Sequence, residues 1–101
     1  MWLVAMFDLP MLSKEEKRAY TDFRKFLLGD GFTKMQFSVY FRPCPSEENV
    51  QVHSKRVKAN LPPDGEVRLM AFTDKQFERM QIFHGKTRGK TEKAPDQITF
   101  F

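Results

Sequence analysis

The sequence of 101 residues predicts a small α+β domain in which strands and helices alternate. Three observations support this fold class. The chain opens on an unbroken apolar run, Trp2 to Phe7, which is typical of a strand in the middle of a sheet. Ser13 and Glu16 form an S-x-x-E capping box, which marks the start of a helix. Residues 32–44 alternate between apolar and polar side chains, as half-buried strands do.

The first strand ends in a single carboxylate, Asp8, followed by Leu9 and Pro10. Loops at the carboxyl ends of strands can vary without disturbing a core, so they often carry working groups. Asp8 is therefore the first candidate for chemistry. The alternative is that this acid only accepts a hydrogen bond from a nearby backbone N–H, as acids beside turn residues commonly do.

The first helix has an apolar face of Ala19, Tyr20, Phe23, Phe26 and Leu27, and Gly29-Asp30-Gly31 ends it near residue 28. Its opposite face is basic. The candidate phosphate-binding side chains on that face are Lys14, Lys17, Arg18, Arg24 and Lys25. The pattern fits nucleic-acid contact and a solvated helix surface equally well, because Lys and Arg are also good helix formers.

The alternation in residues 32–44 places Met35, Phe37, Val39 and Phe41 on one side and Lys34, Gln36, Ser38, Tyr40 and Arg42 on the other. One straight strand of this length would reach roughly 40 Å, which is long for a domain this small. The sequence therefore predicts a sharp bend or two short paired strands, ended by Pro43 and Pro45.

Ser46 caps a second predicted helix, which Leu61-Pro62-Pro63-Asp64-Gly65 ends. His53 falls near the inner stripe of this helix, where a packed, hydrogen-bonded imidazole is favoured over a ligand. Val67 to Phe72 predicts another strand, which ends at Thr73 and Asp74, and the alternation from Phe77 to Phe83 predicts a further one.

The residues after 83 divide into two segments. Residues 84–94 are basic and lack an apolar anchor, so they predict a mobile loop, either solvated or ordered on nucleic acid through Lys86, Arg88 and Lys90. Residues 95–101 predict a short terminal strand. Its apolar side chains would be costly to leave in water, so we expect the strand to dock across a dimer. These side chains are Ile98, Phe100 and Phe101.

Composition narrows the class of protein. The formal net charge of +4 suits a polyanionic partner without requiring one. Eleven Phe and six Met exceed what so short a chain easily buries, which favours a homodimer. Cys44 is the single cysteine, so there is no intrachain disulfide or zinc cluster. We expect a cytoplasmic protein with no membrane segment, because the apolar start lacks a basic flank and meets Asp8 too early.

The elements in order are strand, helix, bent strand pair, helix and strand, followed by the appended residues. This is the βαββαβ order of a ferredoxin-like sandwich over residues 1–83, with a C-terminal strand extension. The topology hosts many unrelated functions, so it does not by itself select one.

Five motifs in order carry a resemblance to a known family. They are F-D-L-P at residues 7–10, D-G-F at 30–32, Q-F-S-V-Y at 36–40, L-P-P-D-G at 61–65 and T-D-K-Q-F at 73–77. Together they resemble the small CRISPR-associated Cas-two (Cas2) proteins, in the form that accompanies type II systems. The resemblance covers practically the whole chain, although no single motif is decisive.

The resemblance implies a homodimer whose C-terminal strands cross to the neighbouring subunit. The family is the central subunit of the spacer-acquisition complex, between two dimers of the Cas-one integrase, where it helps to hold double-stranded DNA. Some members are described as metal-dependent endonucleases on single-stranded RNA or double-stranded DNA. The family's metal-binding and catalytic aspartate falls on Asp8, and two copies of it are expected to face each other across the symmetry axis.

A facing pair of Asp8 carboxylates could share a Mg²⁺ or Mn²⁺ ion, since hard ions accept one or two carboxylates, water and a substrate phosphate. Without a metal the two acids would repel each other and share a proton. The sequence thus leaves two main hypotheses: a non-catalytic scaffold for double-stranded DNA, which is preferred, and a Mg²⁺-dependent endonuclease that uses Asp8. A generic ferredoxin-like RNA-binding module is a third, but the alternation gives no clear pair of stacking positions.

Overall fold

The computed structural model describes residues 1–86, which form a four-stranded antiparallel sheet with two helices on one face and a short third helix on the other. In chain order the elements are β1 (Trp2–Asp8), α1 (Lys14–Gly29), β2 (Thr33–Gln36), β3 (Val39–Pro43), α2 (Glu47–Ala59), β4 (Glu66–Phe72) and α3 (Asp74–Glu78). The predicted α+β, ferredoxin-like class is confirmed.

The apolar opening run is β1, and it lies inside the sheet as its sequence predicts. The strand order is β2-β3-β1-β4, and β1 pairs antiparallel with both β3 and β4. Leu3, Ala5 and Phe7 are buried against the two long helices, whereas Val4 packs on the opposite face. We call that opposite face, which carries Val4 and the other even-numbered residues of β1, the open face.

Both long helices begin where the sequence predicts. The Ser13 hydroxyl accepts a hydrogen bond from the Glu16 N–H at 3.1 Å, and a Glu16 carboxylate oxygen accepts from the Ser13 N–H at 2.9 Å. Ser46 caps α2 through the Asn49 N–H at 3.1 Å. Each cap satisfies backbone donors that have no partner inside the helix, which fixes the starting residue.

The predicted break in residues 32–44 is confirmed, because β2 and β3 are two short strands joined by a tight turn. The assignment of side chains to faces is partly wrong. Phe37 does not share the open face with Met35, since its ring stacks on Tyr20 of α1 with centroids 5.8 Å apart. Tyr40 lies on the side opposite Val39 and Phe41, as predicted, and is buried in the main core. The turn at Phe37 and Ser38 redirects the Phe37 ring, whereas Met35, Val39 and Phe41 share the open face as predicted.

The predicted strand from Phe77 to Phe83 is wrong. Thr73 caps α3 instead, and Gln76 completes a capping box with it, so the chain turns into a helix. The Phe77 ring stacks on Trp2 at 4.3 Å and packs against Phe41 at 5.6 Å. The T-x-x-Q signature, which is typical of a helix start, outweighs the short alternation after it.

Part of the predicted C-terminal organisation lies outside the described residues. This applies to Arg88 and Lys90 of the predicted basic loop, and to the predicted terminal strand with Ile98, Phe100 and Phe101. Within residues 1–86, none of the helices has the length and hydropathy needed to cross a membrane.

Candidate carboxylate site and nucleic-acid interface

Asp8 lies at the end of β1 with its side chain on the open face. It shares that face with Val4 and Met6, because side chains alternate along a strand. Asp8 is exposed, and no hydrogen bond or ion pair from the described residues reaches its carboxylate. The alternative of a turn-capping acid therefore does not account for Asp8, whose carboxylate is available to a ligand.

A second carboxylate, Glu66, stands directly opposite Asp8 in the ladder between β1 and β4. Residues that face each other in this way share one side of a sheet, with Cβ atoms about 5 Å apart. Glu66 forms an exposed ion pair with Arg68 at 3.0 Å. The arginine offsets the repulsion that two adjacent acids would otherwise feel, and Asp8 remains the unpaired acid of the two.

The donors at this edge fit a hard divalent ion only in part. Carboxylate oxygens are the ligands that Mg²⁺ prefers, and Asp8 offers them on an open surface. Within residues 1–86, however, no cluster of three or more His, Cys, Asp or Glu side chains could enclose an ion. A second copy of the chain, a substrate phosphate and water would have to supply the remaining ligands.

The structure brings no hydroxyl base to Asp8. The backbone of Ser38 lies beside the end of β1, since its carbonyl accepts a hydrogen bond from the Phe7 N–H at 3.0 Å. Its hydroxyl is hydrogen-bonded to that of Tyr20 at 3.0 Å, on the helix side of the sheet rather than on the open face. Tyr40 is also on the helix side, where its ring stacks on Phe7. One unpaired acid in each chain is a sparse arrangement for catalysis.

The basic face of α1 lies on a regular helix of 16 residues. Its five predicted members are exposed, and no described carboxylate lies within ion-pair distance of any of them. By contrast, Arg56 and Arg68 are held by acids. The face also carries Asp22, which is exposed. Lys86, the last described residue, is also exposed.

His53 is buried and hydrogen-bonded, as predicted. Its Nδ1 lies 2.8 Å from an Asp30 carboxylate oxygen, and Arg56 donates to the other oxygen at 3.0 Å. Arg42 of β3 donates to the Asp30 carbonyl, and its guanidinium lies 3.2 Å from the same histidine nitrogen. This cluster ties the end of α1 to α2 and β3, so its role is structural.

The ionisation of Asp30 follows from these contacts. Burial alone would raise the pKa of its carboxyl, but the hydrogen bonds from His53 and Arg56, and their positive charge, outweigh that effect. The pKa of Asp30 therefore lies below its usual value. The carboxylate stays ionised and paired at neutral pH, which keeps α1 in register with the rest of the domain.

The open face does not present aromatic rings as an RNA-binding sheet would. Trp2 and Phe41 lie on that face, but Phe77 of α3 packs against both rings. Two partly exposed methionines, Met6 at 38% and Met70 at 37% exposure, lie there beside the charged side chains described above. The third hypothesis, a generic module that stacks bases on its sheet, loses its main requirement.

Sequence reasoning missed Glu66 and the corner formed by Phe37, Ser38 and Tyr20. Glu66 directly precedes the predicted strand, but its position opposite Asp8 depends on the register between strands distant in sequence. The Phe37 corner had one available signal, namely a strand too long for the domain. That signal indicated a turn without giving the direction in which the aromatic ring would point.

Two long helices on one face of a four-stranded antiparallel sheet, with an unpaired aspartate at the end of an inner strand, define a small ferredoxin-like protein. The family model for CRISPR associated protein Cas2 matches residues 1–80. The chain belongs to the Cas2 family and is therefore a CRISPR-associated protein.

Individual relatives extend the match over the whole chain. It is 50% identical over 101 residues to a protein named CRISPR-associated endoribonuclease Cas2 from Parvibaculum lavamentivorans, with 100% of both chains covered. A relative of the same name from Paracidovorax avenae is 48% identical, with 100% of this chain and 94% of the relative covered.

A solved structure supports the fold. The crystal structure of Streptococcus pyogenes Cas2 at pH 6.5 matches with a TM-score of 0.62 at 15% identity, over 83% of this chain and 100% of that one.

Proposed function

We propose that this chain acts as a homodimer that holds double-stranded DNA and bridges two Cas-one integrase dimers during CRISPR spacer acquisition. The observation that carries the proposal is the basic face of α1, whose cations are exposed and form no ion pair with a described acid. Contacts between such side chains and phosphates carry no sequence information. They therefore suit a protein that must capture foreign DNA of any sequence.

The open face supports a dimer. It leaves Met6 and Met70 partly exposed beside the covered aromatic cluster, and an apolar surface of this kind is usually buried by a partner. The outer edge of β4 is also unpaired within residues 1–86. Packing two open faces together would bury the methionines and bring the two Asp8 carboxylates to a common interface, as the family resemblance implies.

The experiment is a matched pair of charge reversals on the full-length chain. The double variant Arg18→Glu with Arg24→Glu changes the proposed interface, whereas Lys55→Glu with Lys58→Glu makes the same change of charge on the exposed side of α2. Affinity for a duplex is measured by fluorescence anisotropy over a salt series. The first variant should bind more weakly with a smaller salt dependence, and the second should remain close to wild type. Equal losses in both variants would contradict a specific interface on α1.

A second candidate function is Mg²⁺-dependent cleavage of single-stranded RNA or double-stranded DNA. The observation in its favour is Asp8, an exposed acid whose carboxylate has no hydrogen-bond or ion-pair partner among the described residues. In a dimer two Asp8 carboxylates would hold the ion, which would polarise the scissile phosphate and activate water. The absence of any cut in RNA or DNA with Mg²⁺ or Mn²⁺, in protein free of contaminating nuclease, would refute this function.

A further inference from the structure

The turn between β2 and β3 contains an unusual combination of exposure and rigidity. Phe37 is 65% exposed although it is a large aromatic residue. Its ring nevertheless has a fixed neighbour, because it stacks on Tyr20 with an interplanar angle of 18° and centroids 5.8 Å apart. One face of the Phe37 ring therefore packs on Tyr20, and the exposed face is available for stacking with a second planar group.

Ser38 shows that this arrangement is imposed by its surroundings. Its φ is 61°, and it is the one described residue other than glycine with a positive φ. Such a conformation is unfavourable for a residue with a side chain and persists only when neighbouring contacts hold it. Two do so: the Ser38 carbonyl accepts from the Phe7 N–H, and its hydroxyl is bonded to Tyr20, each at 3.0 Å. The same tyrosine thus fixes both residues of the turn.

Three exposed cations lie on the two elements that carry this corner, namely α1 and β2. Lys17 and Arg24 lie one helical turn before and after Tyr20, and both are exposed. Lys34 of β2 is paired with Tyr40 in the ladder, so it belongs to the helix side too, and it is exposed. A rigid aromatic face beside several unpaired cations is the combination that binds single-stranded nucleic acid, through base stacking and phosphate contacts.

We propose that Phe37 is a stacking platform for an unpaired nucleobase, with Lys17, Arg24 and Lys34 contacting the adjoining phosphates. The inference deepens the proposed function, because it assigns single-stranded nucleic acid, RNA or DNA, to a corner next to the duplex-binding face. Tyr20 and Ser38 position the platform. Stacking uses the π-face common to all bases, so the site does not select a sequence.

The test measures the affinity of the full-length chain for three labelled probes at low salt: a single strand of about twelve thymidines, the same length of abasic backbone, and a duplex. A uridine strand distinguishes RNA from DNA. Phe37→Ala removes the ring, Phe37→Leu keeps an apolar side chain without a π-face, and Phe37→Trp keeps a π-face. The matched control is Phe83→Ala, since Phe83 is 83% exposed but stacks on no ring in the described residues.

The proposal predicts that Phe37→Ala and Phe37→Leu weaken binding of the thymidine strand about 10-fold, within the range that one stacked base contributes. Phe37→Trp and Phe83→Ala should stay close to wild type. Binding of the abasic strand and of the duplex should not change. Thermal unfolding of each variant establishes that the domain is folded, which is expected because the Phe37 ring is mostly exposed.

Three results would overturn the proposal. Normal binding of the thymidine strand by Phe37→Leu would show that no π-face is needed. An equal loss for the abasic strand would show that no base is stacked. Dissociation of a dimer by Phe37→Ala in sedimentation would assign the ring to a contact between copies.

The outcome also separates this inference from the function it rests on. If the Phe37 variants bind normally while the α1 charge reversals weaken duplex binding, only the platform is wrong. If wild type binds thymidine through Phe37 but no duplex, only the duplex scaffold is wrong.

Discussion

Replacement of Gly65 by alanine tests how the loop before β4 fixes the carboxylate site. Gly65 has a φ of +94°, and a Cβ placed there would lie 2.6 Å from the Asp8 carbonyl oxygen and 3.0 Å from Leu9 Cα. Both are backbone atoms, so a change of side-chain rotamer cannot relieve the contact. The loop and the end of β1 would have to move apart.

The size of the effect follows from two contributions. A left-handed conformation costs a residue with a Cβ about 1–2 kcal/mol, and overpacking a tight site costs about 1–3 kcal/mol. The sum, about 2–5 kcal/mol, is a large fraction of the stability of a small domain. It corresponds to a fall in melting temperature of at least about 10 °C for a domain of this size.

Thermal unfolding followed by circular dichroism measures this effect, at one protein concentration because a dimer would be stabilised by mass action. The matched control is Gly29→Ala, since Gly29 ends α1 with no atom within 4 Å of the added Cβ. The control should unfold at the wild-type temperature or slightly above it. A melting temperature of Gly65→Ala equal to that of the control would refute the close packing of this loop on Asp8.

Asp8→Ala should leave the melting temperature and the duplex affinity near wild type, because the Asp8 carboxylate has no described partner. The same variant should abolish any Mg²⁺-dependent cleavage. A large fall in its melting temperature would contradict the assignment of Asp8 as an unpaired acid. Asp30→Asn should cost about 3 kcal/mol in the free energy of unfolding, since it leaves the buried His53 without its acid. Because the pKa of Asp30 is lowered in the folded state, its contribution to the free energy of unfolding is present above about pH 4 and is lost as the pH falls through the folded pKa. In unfolding measured over an acid pH series, the free energy of unfolding should therefore fall more steeply in wild type than in Asp30→Asn. Thr73→Ala should destabilise the domain by about 1 kcal/mol in urea unfolding, because it removes the cap of α3, whereas Thr33→Ala, which caps no helix, serves as its control.

Local signals in the sequence were sufficient for most of the fold. Ser13 and Ser46 mark the helix starts through hydrogen bonds that span only three residues, so their effect does not depend on the rest of the chain. The apolar run of β1 likewise reflects burial on both sides of a central strand. The same kind of signal is present at Thr73 and Gln76, which start α3, whereas the alternation from Phe77 to Phe83 predicts a strand that does not form.

The parts that could not be predicted depend on contacts between distant residues. Asp30 and His53 are 23 positions apart and meet only after α1 and α2 pack together. Glu66 faces Asp8 because of the register between β1 and β4, which no local pattern specifies. Phe37 changes sides because Tyr20 and Phe7 hold the turn from outside it. The position of Asp8 was predictable, whereas the groups around it were not.

We propose that two copies of this chain bind a nucleic-acid backbone through the basic face of α1. Sedimentation of the full-length protein, alone and with a duplex of about 30 base pairs, tests it most directly when repeated from low to moderate salt. We expect a dimer that binds the duplex at low salt and releases it steeply as salt rises. A stable monomer that leaves the duplex free even at the lowest ionic strength would contradict it.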